Sequence, residues 1–348
     1  MSEKSETNAG AAVDAPVRVA LNGFGRIGRN VLRAVREDPR IELVGINDVM
    51  DFEDMAYLAK YDTVMGRLDG ISRDGDTLVV GDSAVPLFNV QNPTELPWDD
   101  LNVDVTLECT GIFRTYDDAA AHLEAGADKV VISAPPKGNK PVKQLVYGVN
   151  HDEYEGQDVV SNASCTTNSV SPVAKVLDEE FGIESGLLTT VHAYTGSQTL
   201  VDGPMAKTRR GRGAAENIVP TSTGAAKATT QILPQLAGKL DGMAIRVPVP
   251  NGSITELVVD LEATPSVEQL NEAFRDAADS GPLAGVLGYT DDEVVSSDIL
   301  GLPFSSMVDL NSTNQVNDGG LYKILTWYDN EYGFSNRMLD VANFLTYG

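Results

Sequence analysis

Cysteine, histidine and tryptophan are scarce in this 348-residue chain, with two Cys, three His and two Trp. Two cysteines, Cys109 and Cys165, cannot build a disulfide framework. No metal-ligand spacing accompanies them, so no metal site is expected. Aromatic residues are few as well, at 6%. Basic residues number 26 against 51 acidic ones, a formal net charge of −25. A surface of that sign repels a polyanion and lacks the basic patch that phosphate-backbone recognition needs, so no nucleic-acid partner is expected. No apolar run reaches the roughly 18 residues needed to cross a bilayer, and the chain is expected to be soluble, cytoplasmic and without a membrane partner. Residues 1–15 lack both the basic region and the apolar core of a secretory signal and are expected to be a disordered polar leader.

The acidity has a pattern. Aspartate (31) outnumbers glutamate (20), and arginine (15) outnumbers lysine (11). Dense aspartate with little lysine suits a solvent of concentrated salt, where screening removes the self-repulsion that would strain the folded state. A halophilic protein is expected. At 42% hydrophobic, the chain can bury one or two ordinary cores, and its length suggests two domains.

The short apolar strand Val17 to Asn22 runs into Gly23-Phe24-Gly25-Arg26-Ile27-Gly28, after which Val31, Leu32 and Val35 repeat at helical spacing. A second strand, Ile41 to Asn47, ends at Asp48, which lies 20 residues past Gly28. Strand, glycine turn, helix, strand and acid is the order a dinucleotide site requires. The first Gly makes the turn, the second lets the backbone approach the pyrophosphate, and the third lets helix and strand pack closely. The helix N-terminus then offers free N–H groups to phosphate. Asp104 to Glu108, a helix around Asp117 to Ala125, and Lys129 to Ser133 continue the β-α-β alternation and predict a mostly parallel sheet. After Asn168 the character changes. Gly186 to Ala193, Ala244 to Val249 and Thr255 to Leu261 read as long strands of a larger sheet, and Ser335 to Leu345 as a helix that returns to the first domain.

Cys165 stands between the strand at Val159-Val160 and a helix with Val170, Val173, Ala174, Leu177 and Phe181 apolar. The macrodipole at a helix N-terminus stabilises a thiolate, so this cysteine is expected to have a lowered pKa and to act as a nucleophile. The same N–H groups can receive an oxyanion. Such a nucleophile needs an imidazole. His122 reads as a packing or surface residue of a helix and His151 as a loop residue, whereas His192 ends an apolar strand, a rigid place from which to aim a base.

Asn22 to Arg29, Ala163 to Asn168, Thr190 to Thr195, Pro220 to Ala228, Arg246-Val247-Pro248 and Trp327 to Glu331 together resemble the phosphorylating glyceraldehyde-3-phosphate dehydrogenases. The resemblance runs in order from about Val17 to the C-terminus. It implies an α/β fold with an N-terminal Rossmann-type NAD-binding domain over 16–164, to which the helix 331–348 returns. An α+β catalytic domain with a large, mostly antiparallel sheet would cover 165–330. It implies that Cys165 attacks the aldehyde of glyceraldehyde 3-phosphate, that His192 activates the thiol, and that inorganic phosphate resolves the thioester to 1,3-bisphosphoglycerate, with NAD as cofactor. Gly23, Gly25, Arg26, Ile27, Gly28, Asp48, Thr110, Ser133 and Asn330 match the cofactor positions. Thr195 and Arg246 match the grip on the substrate phosphate, and Ser164, Thr166, Thr223 and Gly224 that on the attacking phosphate. Arg212 is placed with this anion set. The segment Tyr194 to Asn217, with Arg209, Arg210 and Arg212, resembles a loop that packs against a neighbour's cofactor site, so a homotetramer is implied. Three departures stand out. Ser169 replaces a frequent second cysteine, Phe334 a tyrosine near the nicotinamide, and Gly203 a larger residue sometimes used to exclude the 2′-phosphate. Erythrose-4-phosphate dehydrogenase and a non-catalytic nucleotide-binding regulator are the alternatives. The regulator would need none of Cys165, His192 and Arg246.

Overall fold

The computed structural model describes residues 15–348, so the leader expected over 1–15 lies, except for Ala15, outside the described residues. The chain begins with β1 (Val17–Asn22), α1 (Arg26–Val35), β2 (Ile41–Asn47) and α2 (Phe52–Lys60). A meander follows, β3 (Ile71–Asp74), β4 (Thr77–Val80) and β5 (Ser83–Phe88), and then β6 (Val105–Glu108), α3 (Tyr116–Glu124), β7 (Lys129–Ile132), β8 (Lys143–Gln144) and β9 (Val159–Ser161). These strands form one sheet in the order β3-β4-β5-β2-β1-β6-β7-β9-β8. It is parallel except for the meander. β1, β2 and β6 are apolar runs because both sheet faces are covered. The order reverses at β1, with β2 on one side and β6 on the other, and that switch point opens a crevice at the carboxyl ends of the strands.

A second sheet follows α4 (Cys165–Phe181). Its elements are β10 (Ile183–Ala193), β11 (Val219–Ser222), α5 (Ala225–Ile232), β12 (Leu240–Val247), β13 (Ser253–Leu261), α6 (Val267–Asp279), β14 (Leu287–Thr290), β15 (Ser306–Asp309), β16 (Asn314–Gln315) and β17 (Leu321–Tyr328). The order is β11-β12-β10-β13-β17-β15-β14, with β16 on β17. Only β10-β12 and β14-β15 pair in parallel. Burial along β13 alternates strictly, as the period of two demands, with Leu257, Val259 and Leu261 meeting Val173 and Leu177 of α4 and Leu270 and Phe274 of α6. The same alternation in β10 turns Leu188, Thr190 and His192 inward and Leu187 out. The last helix, α7 (Tyr332–Tyr347), puts Phe334, Met338, Leu339 and Val341 into one apolar cluster with β1 and α1 of the first sheet.

Element boundaries differ from the sequence reading in places that have physical causes. The strand expected over Ala244 to Val249 runs instead over Leu240–Val247. Pro248 has no N–H to give a ladder and ends it. The last helix begins at Tyr332 rather than Ser335, because the Asp329 carboxylate accepts the N–H groups of Glu331 and Tyr332 and serves the helix start.

Candidate active site

The glycine turn is built by close approach. Gly23 has φ +97°, and a Cβ there would lie 2.5 Å from the Thr110 nitrogen across the switch point. A Cβ on Gly28 would collide with the Gly23 carbonyl, whereas one on Gly25 meets nothing within 4 Å. Gly25 is also the N-cap of α1 and makes no side-chain cap, so the first turn of the helix presents its N–H groups to an open cradle. That arrangement fits the pyrophosphate of a dinucleotide. Asp48 closes the cradle beyond β2, its Oδ2 accepting the Phe24 N–H at 2.6 Å and its Oδ1 the Met50 N–H at 3.0 Å. Thr110 and Ser133 sit just past β6 and β7, with Thr110 N–H donating to Glu108 Oε1 at 2.8 Å. Ile27 packs against the core. The Arg26 guanidinium pairs with Asp62 and Glu331, so this side chain is committed to carboxylates. Asn330, two residues past the end of β17, is buried, its Oδ1 accepting from Ser253 at 2.7 Å.

Cys165 is the first residue of α4, and Ser164 caps the helix by accepting the Thr167 N–H at 3.1 Å. Ahead of the cap, Ala163 is fully buried in the left-handed region at φ +56°. Cys165 Sγ lies 3.5 Å from His192 Nε2. His192 Nδ1 is 2.7 Å from the Ala193 carbonyl oxygen, which can only accept. Nδ1 therefore carries the proton and Nε2 turns its lone pair to the thiol. The expectation of a lowered cysteine pKa is corrected. Burial pushes the Cys165 thiol up, and the opposing pull of Arg246 and the Thr166 N–H does not overcome it. Burial, with help from Arg246, also drives the His192 imidazole down to about 3. Burial thus opposes each charge on its own. The arrangement favours moving the proton within the pair, so that the two charges appear together.

A cavity of about 1070 Å³ opens on this pair. Ser164, Thr166, Thr223, Gly224 and Arg246 line it together with Cys165 and His192. In a chain with 51 acidic residues, no Asp or Glu lines it among the described residues, and eight cationic side chains do. Arg246 Nε is buried without a partner, while Nη1 holds the Ala193 carbonyl at 2.7 Å. An orphaned buried guanidinium N–H fits an anion. Thr195 does not line the cavity, but its hydroxyl accepts from Arg246 Nη1 at 3.4 Å. Thr166 bonds the Tyr328 hydroxyl at 3.0 Å. Gly224 caps α5 without a side-chain bond, and a Cβ on it would meet nothing.

Arg212 does not belong to this set. It is exposed and paired with Asp202 Oδ2 at 2.8 Å, outside the cavity. Arg210 and Lys207 line the wall instead, bonded to Thr221 and Ser222 hydroxyls rather than carboxylates. The sequence reading had Arg210 in the loop but not in the site, and only its lack of an acidic partner could have separated it from Arg212. Phe334 lies in the core of the first sheet. His122 is fully buried between Trp98 and Glu108, a packing histidine away from the cavity. His151 lies in a single 3₁₀ turn against Tyr147 and Phe344. Among the described residues, no helix is long and apolar enough to cross a membrane.

Two family models match the chain. The glyceraldehyde 3-phosphate dehydrogenase NAD binding domain matches residues 17–116, and the C-terminal domain of the same family matches residues 164–330. The chain is 68% identical over 333 residues to glyceraldehyde-3-phosphate dehydrogenase of Haloarcula vallismortis, covering 95% of this chain and 98% of the relative. It is 52% identical over 333 residues to the enzyme of that name from Streptomyces coelicolor, covering 94% and 98%. The corresponding figures for Mycobacterium tuberculosis are 51% over 336 residues, covering 94% and 97%. With the glycine cradle, the Cys165–His192 contact and matches over nearly its whole length, the chain belongs to the glyceraldehyde-3-phosphate dehydrogenase family.

Proposed function

We propose that the protein oxidises D-glyceraldehyde 3-phosphate to 1,3-bisphosphoglycerate with NAD and inorganic phosphate, reversibly, in the cytoplasm. The observation that carries this reading is the carboxylate-free cationic cavity around the 3.5 Å Cys165–His192 contact. Residues 16–164 with the returning helix 331–348 form the NAD-binding domain, and 165–330 the catalytic domain. The turn 23–28, Asp48, Thr110, Ser133 and Asn330 hold the cofactor.

His192 Nε2 takes the Cys165 proton as sulfur attacks the aldehyde carbon, and the carbonyl oxygen is received by N–H groups at the start of α4. The thiohemiacetal forms as the C–S bond replaces the carbonyl π bond. NAD, when bound, supplies the hydride acceptor that converts this adduct to a thioester. Arg246 and Thr195 hold the substrate phosphate. Ser164, Thr166, Thr223 and Gly224 bind the inorganic phosphate whose oxygen attacks the thioester, and Cys165 leaves as thiolate. Arg210 adds charge to the same wall.

The chain works as a homotetramer of halophilic type. Supporting the first point, Leu200, Val201 and Ile218 stand 70–77% exposed around the basic loop, and Leu187 and Met243 on the uncovered sheet face. Supporting the second are the −25 charge and the likeness to a haloarchaeal relative. The test is NADH formation with a panel of aldehydes, with and without phosphate. Turnover with glyceraldehyde 3-phosphate that needs phosphate, and that Cys165→Ser abolishes while NAD binding persists, is expected. Equal or faster oxidation of erythrose 4-phosphate, or a phosphate-independent rate, would overturn the reading.

A further inference from the structure

Ser253 opens β13 and is fully buried, and its hydroxyl makes two bonds, one to the residue that follows His192 and one to Asn330. The oxygen accepts the Ala193 N–H at 3.1 Å. The proton is donated to Asn330 Oδ1 at 2.7 Å. A hydroxyl has one proton and an amide N–H can only donate, so the Asn330 carbonyl oxygen is the acceptor of the Ser253 proton. The Asn330 amide is thereby fixed one way round, with its NH₂ group turned away from Ser253. A flipped amide would strand the hydroxyl proton in a buried place, which is unfavourable. The carbonyl of Ala193 is itself an anchor, accepting from His192 Nδ1 and from Arg246 Nη1, each at 2.7 Å. Ala193 thus registers the base and the guanidinium, and Ser253 ties that register to Asn330.

We propose that Ser253 is a positioning residue: it presents the Asn330 NH₂ group as a donor to the carboxamide oxygen of the nicotinamide, in register with the Ala193 backbone that holds His192 and Arg246. This rests on the reading of Asn330 as the nicotinamide-orienting side chain. Ser253 touches neither the cofactor nor the substrate and acts through its two partners.

The test is a double-mutant cycle on the full chain, reading the NAD dissociation constant by titration calorimetry and the steady-state constants in parallel. Ser253→Ala is expected to weaken NAD binding about tenfold, the scale of one well-made hydrogen bond. The KM for NAD should follow, with the KM for the aldehyde within about twofold. In an Asn330→Ala background the same change should have no further effect on NAD binding, because its route is already gone. Asn330→Asp keeps the acceptor for Ser253 but removes the donor face, and should bind NAD at least about tenfold more weakly. Ser253→Ala binding NAD as the wild type does, effects that multiply in the cycle, or Asn330→Asp with unchanged affinity would each overturn the proposal. A wild-type protein that binds no NAD at all would instead overturn the function proposed above.

Discussion

Trp98 donates its indole N–H to His122 Nδ1 at 3.1 Å, and this settles which nitrogen of a fully buried histidine carries the proton. Nε2 is then the donor, 3.2 Å from Glu108 Oε2. Glu108 also accepts from Asn22 at 2.5 Å and from Thr110, so the chain of bonds ends under the glycine turn. His122→Leu leaves the indole N–H without an acceptor and Glu108 Oε2 with Asn22 as its remaining donor. It should cost on the order of 2–4 kcal/mol of stability, read as a lowered thermal midpoint that bound NAD partly restores. An unchanged midpoint would mean the network is slack.

For the catalytic pair, the sign of the pH effect follows from burial. The thiolate is the reactive form, and burial pushes the Cys165 thiol up. On the proposed mechanism, His192 offsets this in the wild type by taking the proton within the contact. With His192→Asn that offset is gone, so a smaller fraction is thiolate at any given pH. The midpoint for alkylation of Cys165 by iodoacetamide should move to more alkaline pH. A superimposable profile would remove His192 from the activation of the thiol.

If Arg246 grips the substrate phosphate as proposed, it separates phosphate binding from bond breaking. A charge-assisted contact to phosphate is worth roughly 1.5–3 kcal/mol. Arg246→Leu should therefore lose on the order of tenfold to several hundredfold in kcat/KM toward the phosphorylated triose. Toward unphosphorylated glyceraldehyde the loss should be much smaller, limited to the loosened Ala193 carbonyl that Arg246 shares with His192. Equal losses would make Arg246 part of the catalytic pair's support alone.

If Asp48 faces the ribose 2′-OH as proposed, coenzyme choice turns on it. No Arg or Lys lies between Asn47 and Ala59, so a 2′-phosphate would meet a carboxylate and no cation. NAD should be preferred over NADP, and Asp48→Asn should narrow the ratio. Comparable efficiency with both coenzymes in the wild type would contradict this.

Salt dependence follows from the net charge of −25. The Debye length grows from about 3 Å at 1 M to about 30 Å at 0.01 M, and acidic surfaces lose their screening. Activity and oligomer mass should both fall as KCl is lowered from molar to dilute. A flat activity profile with unchanged light-scattering mass would refute the halophilic reading.

The parts of the molecule written locally were legible in the sequence. β1, the glycine turn, α1 and β2 could be read because apolar runs, glycine punctuation and helical spacing all lie between Val17 and Asn47. Cys165 and His192 could be read because each stands at the end of a regular element. The β3-β4-β5 meander was not read, although Asp74-Gly75-Asp76 carries a hairpin signal between two strands of only four residues each, of which β3 exposes three and β4 none. Nor was α6, whose Ser266–Gln269 capping box was there to find. The choice between Arg210 and Arg212 depends on Asp202, eight and ten residues away in a folded loop. The sign of the cysteine shift depends on how much of the surrounding fold desolvates the thiol. Both are sums over the fold rather than local features.

Ala163 fixes how freely the nucleophile can wander. A left-handed alanine is disfavoured by roughly 1–2 kcal/mol, and one residue of this kind precedes the Ser164 cap. Its methyl group is held in the apolar cluster that contains Val170, Val173 and Leu177, so the peptide cannot swing back to a commoner conformation without emptying a place in the core. The cysteine is thus aimed by a hinge that has been locked: the core opposes the backbone's own preference, and conformational entropy is removed from the turn before any substrate arrives. Glycine at this position would ease the strain and also release the lock, leaving the thiol attached to the same helix but with several directions to point.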